Sequence, residues 1–303
     1  MRVVCLSGGV GGAKLARGLH DVLGPGELTV IGNVGDDVEV LGLHVSPDLD
    51  SVLYALAGLN DEERGWGRAG ESWRTLGSAK AWGGDGWFLL GDLDLGLHLV
   101  RTQALRRGET LSAVTAHLVE QAGLATRLLP ATNDLVRTSV VTPSGTFSFQ
   151  EWFVGRRHED EVDGMIYDGA GVARAAPGVV EAVEGADLLV FAPSNPFTSI
   201  QPILAVAEIR EALASRKVRS IAVSPLVGGR AVKGPLDRML TRMAGGTSPQ
   251  HVAGCYPGLV DELVIDRADA PAEAEVPLVI AETLMTDRDA ASRLAEVVLE
   301  ASR

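Results

Sequence analysis

The 303-residue chain is poor in cysteine, in basic charge and in long apolar runs, and each shortage excludes a class of protein. Its two cysteines, Cys5 and Cys255, lie far apart without a Cys-x-x-Cys partner, which argues against a disulfide framework and a thiolate zinc site. Lys and Arg number 27 against 40 Asp and Glu, a formal charge of −13 that repels a nucleic-acid backbone, so no nucleic-acid partner is expected. No apolar run approaches the ~18 residues of a membrane span, and Val3 to Leu6 is too short for the core of a signal peptide. The expectation is a soluble, cytoplasmic protein with no membrane partner. The six histidines form no His-x-x-x-His pair and no Ser-His-Asp order, leaving zinc and hydrolase readings unsupported.

What is present suits a folded α/β protein. Hydrophobic residues make up 46%, with 36 glycines, enough for a sizeable core and many tight loops. Arg2 to Leu6 reads as a strand, Leu15, Leu19 and Leu23 mark a helix, and Leu28 to Ile31 reads as a second strand, completing a β-α-β unit. Further buried strands are expected at Asp187–Ala192, Val218–Val223 and Val276–Ala281, with helices near 50–57, 72–81, 111–122, 201–215, 235–244 and 286–302. Val136–Thr142, Gly145–Phe149 and Trp152–Val154 alternate in a β manner. The fold class is therefore a Rossmann-like, doubly wound, mostly parallel sheet. A single body over 1–303 is expected, with a helical, Trp-rich insertion at about 60–90 and a β-rich one at about 130–175. The acidic run His158–Asp163 reads as a solvated loop.

Gly8, Gly9, Gly11, Gly12 and Lys14 fall between the first strand and its helix, where free N–H groups and the helix dipole favour an anion. The segment is neither Gly-x-Gly-x-x-Gly nor a P-loop, which weakens dehydrogenase and NTPase readings. Tight packing is its other reading. Asp36 and Asp37 follow the second strand, and Asp48 and Asp50 come soon after, so four carboxylates are expected in loops at the strands' carboxyl ends. Clustered oxygen ligands suit Mg²⁺, and helix capping is the alternative use for Asp48 and Asp50. Ser194 and Asn195 end one strand, and Ser224, Gly228 and Gly229 follow another on the same edge, suggesting a long ligand. The tryptophans between Trp66 and Trp87 either stack a flat heterocycle or build the core of the lobe.

As a set, Ser7–Lys14, Asn33–Asp37, Ser46–Asp50, Gly91–Asp94, Phe149–Trp152, Pro193–Pro196 and Ser224–Gly229 resemble the 2-phospho-L-lactate transferase family (CofD/FbiA) over nearly the whole chain. That resemblance implies a Mg²⁺-dependent enzyme of the EC 2.7.8 class in coenzyme F(420) biosynthesis. It would move a phospholactyl or phosphoenolpyruvyl group from a guanosine-diphosphate-linked donor to the deazaflavin Fo, releasing GMP. The glycine loop, Lys14, Ser194, Asn195, Ser224, Gly228 and Gly229 would then hold the nucleotide. Asp50, Leu89, Asp92 and Asp94 would meet the acceptor, and Thr132, Asn133 and Asp134 the transferred group. Asp50 or Asp48 would be catalytic, Asp36, Asp37 and Asp48 would bind the metal, and the protein would be a homodimer.

Two positions depart from the family pattern. Leu93 stands where relatives commonly carry Arg, and Thr132-Asn133-Asp134 stands where they often read Met-Ser-Asp-Asp. A regulator of the gluconeogenesis-factor type would continue Asp36-Asp37 with Gly-Gly-Ser-Ser-Gly, whereas this chain reads Val-Glu-Val. A non-catalytic dinucleotide-binding module would need an acidic residue after the second strand and a complete glycine fingerprint, and this chain offers Gly32-Asn33 and Lys14 instead.

Overall fold

A computed structural model describes residues 1–302; Arg303, counted in the expected 1–303 body, lies outside the described residues. β1 (Val3–Ser7) is buried at all five positions, the pattern of a strand covered on both faces. α1 (Gly9–Val22) follows, then β2 (Leu28–Gly32) and a short antiparallel pair, β3 (Val38–Val40) and β4 (Leu43–Val45). α2 (Pro47–Ala57) begins three residues earlier than expected, because Pro47 is pre-set for a first helical position and Asp48 and Asp50 suit the positive end of the helix. These two carboxylates therefore ride a helical turn instead of a loop.

α3 (Arg74–Ala81), α4 (Asp92–Arg106) and α5 (Leu111–Gln121) lead to β5 (Arg127–Pro130). β6 (Arg137–Thr142), β7 (Gly145–Ser148) and β8 (Gly164–Asp168) form a separate antiparallel sheet in the order β7-β6-β8. Trp152–Val154, expected as β, is instead part of a π-type turn at Glu151–Gly155. The reason lies in spacing: Phe149, Trp152 and Phe153 recur at i, i+3 and i+4 and cluster on one side of a turn.

The β-α alternation then resumes through α6 (Val179–Glu184), β9 (Leu188–Phe191), α7 (Gln201–Leu204), α8 (Ala207–Ala214) and β10 (Ser220–Val223). A two-residue-strand hairpin, β11 (Leu226–Val227) and β12 (Arg230–Ala231), precedes α9 (Leu236–Ala244), α10 (Pro249–Ala253), β13 (Glu262–Asp266), β14 (Leu278–Ala281) and α11 (Arg288–Ala301). The central sheet is parallel throughout, in the order β14-β13-β10-β9-β1-β2-β5. No described helix is long and apolar enough to cross a membrane.

Strand pleating divides the interior in two. Val4, Leu6, Leu189 and Phe191 pack with α6 to α10, whereas Val3, Cys5, Leu188 and Val190 pack with α1, α2, α5 and α11. Each fully buried Leu on α1, such as Leu15 or Leu19, contributes about 1.5–3 kcal/mol. α1 and α11 meet so closely at Gly18 that an added Cβ would overlap the Ala291 carbonyl. Gly18→Ala should therefore destabilise the protein by about 1–3 kcal/mol in chemical denaturation. The usual preference for Ala in a helix interior predicts a gain of about 0.5–1 kcal/mol, so a stabilised variant would disprove the close approach.

Candidate active site

The chain leaves β1 towards β2 and later returns to β9 on β1's other side, so the loops after β1 and β9 diverge and open a crevice. A cavity of about 580 Å³ lies there, within the range of small-ligand sites. Gly8, Gly9, Gly11 and Lys14 line it from the first loop and α1, Ser194 and Asn195 from the end of β9, and Ser224 from the end of β10. Asp36, Asp48 and Leu89 complete the set of expected residues found in its wall.

Asp48 ties this corner together. Its Oδ1 accepts from the Gly9 N–H at 2.8 Å and its Oδ2 from Asn33 Nδ2 at 2.9 Å. Asn33 also donates to the Thr198 carbonyl at 3.1 Å and accepts from the Gly35 N–H at 2.7 Å. One carboxylate thus occupies the first amide of α1, leaving the Val10 and Gly11 amides, which have no partner within the helix, at the cavity wall. Gly11 passes so near the Pro193 carbonyl that a side chain there would overlap it. The glycines therefore serve both readings: they permit tight packing, and that packing brings amides to the cavity.

The acidic side of the cavity carries uncompensated charge. Burial pushes Asp48 up to about 6, and burial followed by the field of Asp48 pushes Asp36 well above the usual carboxylate range. Asp36 Oδ1 is buried with no hydrogen-bond partner. Among the described residues no three His, Cys, Asp or Glu side chains converge as a complete metal cage. Across the cavity, Lys14 Nζ donates to the Met285 carbonyl at 2.7 Å, and burial, then Lys233, lowers its pKa. Trp66, Phe88, Phe149, Phe153 and Val154 supply an apolar wall.

Other expected residues are employed elsewhere. Asp50 points away from the cavity into a buried ion pair with Arg101 of α4, whose Nη1 donates to Asp50 Oδ2 at 3.0 Å and whose Nη2 meets Oδ1. Asp50 is therefore turned to α4 and does not line the cavity. Asp37 accepts from Ser46 Oγ at 2.9 Å and lies 2.9 Å from His44 Nε2, so it does not join Asp36 and Asp48 in the wall. Asp92 accepts from the Arg74 and Thr75 amides at 3.2 and 3.0 Å, and the Ser72 hydroxyl holds it down to about 2. Asp94 accepts from Tyr54 Oη at 2.5 Å.

Thr132, Asn133 and Asp134 follow the edge strand β5, outside the cavity lining. Thr132 Oγ1 accepts from the Asp134 N–H at 2.9 Å, Asn133 Oδ1 from Ser112 N–H at 2.8 Å and Asp134 Oδ2 from Arg174 N–H at 2.8 Å. Gly12 lies beneath Ser7 and Ser194. Gly228 and Gly229, at φ 59 and 70, turn the β11–β12 hairpin, and the Gly229 N–H donates to Asp269 Oδ1 at 2.6 Å. Of the clustered tryptophans only Trp66 lines the cavity; Trp82 is 89% exposed and so neither builds a core nor reaches the site.

Sequence reasoning missed Thr283, Leu284 and Met285 after β14, and Thr198 and Ser199 after β9. The signal for the first group was available: Val276–Ala281 reads as a parallel strand, and its carboxyl end belongs on the ligand edge. The apolar wall of Phe149, Phe153 and Val154 had no such signal, because it depends on how the separate β6–β8 sheet packs over the crevice.

Burial also raises Asp94 to about 6. Between pH 4 and 6 the unfolded chain loses this proton while the folded chain keeps it, so folding stability falls as pH rises through that window. Asp94→Asn should gain relative to the parent protein by about 1–2 kcal/mol between pH 4 and pH 7 in denaturant titrations. A constant difference across that range would show that Asp94 is ionised at its ordinary pH.

Comparison with known proteins places this geometry. The family model described as 2-phospho-L-lactate transferase CofD matches residues 3–300. A phosphoenolpyruvate transferase of Streptomyces griseus subsp. griseus is 43% identical over 311 residues, covering 99% of this chain and 98% of that protein. One of Mycolicibacterium smegmatis is 37% identical over 321 residues, covering 99% and 98%. The crystal structure of a UPF0052-family protein from Bacillus halodurans superposes with a TM-score of 0.64 at 18% identity, covering 98% of each chain, and so shares the fold. The chain belongs to the 2-phospho-L-lactate transferase CofD family.

Proposed function

We propose that the protein is a Mg²⁺-dependent transferase of coenzyme F(420) biosynthesis, of the EC 2.7.8 class. It moves a phosphoenolpyruvyl group from a guanosine-diphosphate-linked donor to Fo and releases GMP. The name carried by the relatives at up to 43% identity favours phosphoenolpyruvyl over phospholactyl. The observation that carries the reading is one cavity holding helix amides and lysines beside a pair of buried, mutually repelling carboxylates.

Asp36 and Asp48 fit a divalent cation: the orphaned Asp36 oxygen and the raised pKa of both groups mark a place where positive charge is missing. Mg²⁺ usually takes one or two carboxylates from a protein, substrate phosphates and water completing its sphere. When bound, it would neutralise charge on those phosphates. The Val10 and Gly11 amides and Lys14 hold the same phosphates from the other side. Trp66, Phe88, Leu89 and Phe149 offer the flat deazaflavin an apolar surface that excludes water.

The acceptor hydroxyl oxygen attacks the phosphorus bearing the three-carbon unit. A new O–P bond forms, the bond to the bridging oxygen of GMP breaks, and Asp48 takes the hydroxyl proton.

The test combines purified protein, Fo and Mg²⁺ with the guanylylated phosphoenolpyruvate, phospholactate and phosphoglycerate donors, following GMP and the mass of the deazaflavin product. Phosphoenolpyruvate is expected to react fastest. Asp48→Asn should lower kcat about 10²–10⁴-fold. Independently of turnover, Mg²⁺ should raise the melting temperature of the parent protein more than that of Asp36→Asn. Turnover with no donor, together with no Fo binding in the presence of Mg²⁺ and GDP, would defeat the transferase reading.

A further inference from the structure

The chain contains only four lysines, Lys14, Lys80, Lys217 and Lys233, its other basic residues being arginines. Two of those four line the same cavity, and no arginine does. Among the described residues no ion pair involves Lys14 or Lys233, although the chain is strongly acidic. Each ammonium rests on backbone carbonyls instead: Lys14 on Met285, and Lys233 on Arg64 and Gly65, both at 3.4 Å. Carbonyl oxygens satisfy the donors without forming an ion pair, and Glu62 and Asp287 reach Lys14 only through their fields.

The two cations approach from different elements. Lys14 rises from α1, close to the free amides of its first turn, while Lys233 follows β12 and reaches across the mouth to the segment carrying Trp66. The opposite wall, with Asp36 and Asp48, repels an anion, so the lysine side is where the protein itself can hold one. A compact ammonium with three rotatable donors suits the non-planar oxygens of a diphosphate, whereas the rigid guanidinium fork favours flat, bidentate partners.

We propose that Lys233 exchanges the Arg64 and Gly65 carbonyls for oxygens of the donor's diphosphate, closing it against Lys14 and the Val10 and Gly11 amides. Lys233 thereby becomes a donor-binding residue that selects a nucleotide bearing a diphosphate. The inference rests on the guanosine-diphosphate-linked donor proposed above and commits Lys233 to the phosphates, in preference to the carboxylate of the three-carbon unit. GDP, which has the diphosphate and lacks that carboxylate, separates the two.

Calorimetric titration with GDP plus Mg²⁺, and separately with Fo, would compare the parent protein with Lys233→Gln, Lys233→Arg and Lys80→Gln. Lys80 is exposed and outside the cavity, so its variant makes the same change in net charge elsewhere. Lys233→Gln should weaken GDP at least tenfold with Fo unchanged, Lys233→Arg should recover part of the loss, and Lys80→Gln should match the parent. Inorganic diphosphate should compete with GDP in the parent protein. GDP binding equal in Lys233→Gln and the parent, or an equal loss of Fo binding, would overturn the assignment. If the parent protein itself bound no GDP, the guanosine-diphosphate donor reading would fail first and this inference with it.

Discussion

The corner of the molecule is held by one carboxylate. Asp48 accepts from Gly9 at the start of α1 and from Asn33 after β2, joining two loops and two helices at the point where the sheet changes winding direction. A buried carboxylate accepting hydrogen bonds is an economical way to fix a helix start, since it satisfies an orphan donor and favours the positive helix end. It also brings a second carboxylate within the field of buried Asp36.

That arrangement makes the cavity bipolar. Carboxylates stand on the β2 side, and two lysines without acidic partners stand on the side of β12 and β14. On the proposed function, a ligand bridging a cation at Asp36 and Asp48 and the two ammonium groups would carry several anionic oxygens along its length, as a nucleoside diphosphate derivative does. The aromatic wall over the same space favours a second, flatter molecule.

Asp50 illustrates how a motif can be shared and its use divided. Asp48 and Asp50 belong to one turn of α2, yet their side chains leave the helix in different directions, one to the cavity and one to Arg101. The buried guanidinium offsets the charge of Asp50, and breaking that pair would strand an ion in the interior. Asp50 therefore holds α4 against α2, next to the site and outside its wall.

The doubly wound sheet and its ligand edge were legible in the sequence because parallel strands covered on both faces read as continuous apolar runs ending in glycine and small polar residues. The glycine loop, Lys14, Asp36, Ser194, Asn195 and Ser224 could be named for the same reason, since each lies shortly after such a run, whereas Asp48 comes after two further short strands at the start of α2. β13, Glu262–Asp266, was not named in advance because acidic residues at both ends cut its apolar run to Leu263–Ile265. Only the tertiary structure decided which carboxylates face the ligand, since the direction of Asp48 against Asp50, and of Asp36 against Asp37, depends on helix phase and on partners distant in sequence. It also brought Lys233 within the field of Lys14, 219 residues away along the chain. Local sequence sets where a strand ends, whereas electrostatic partnership acts through space and so is created only by folding.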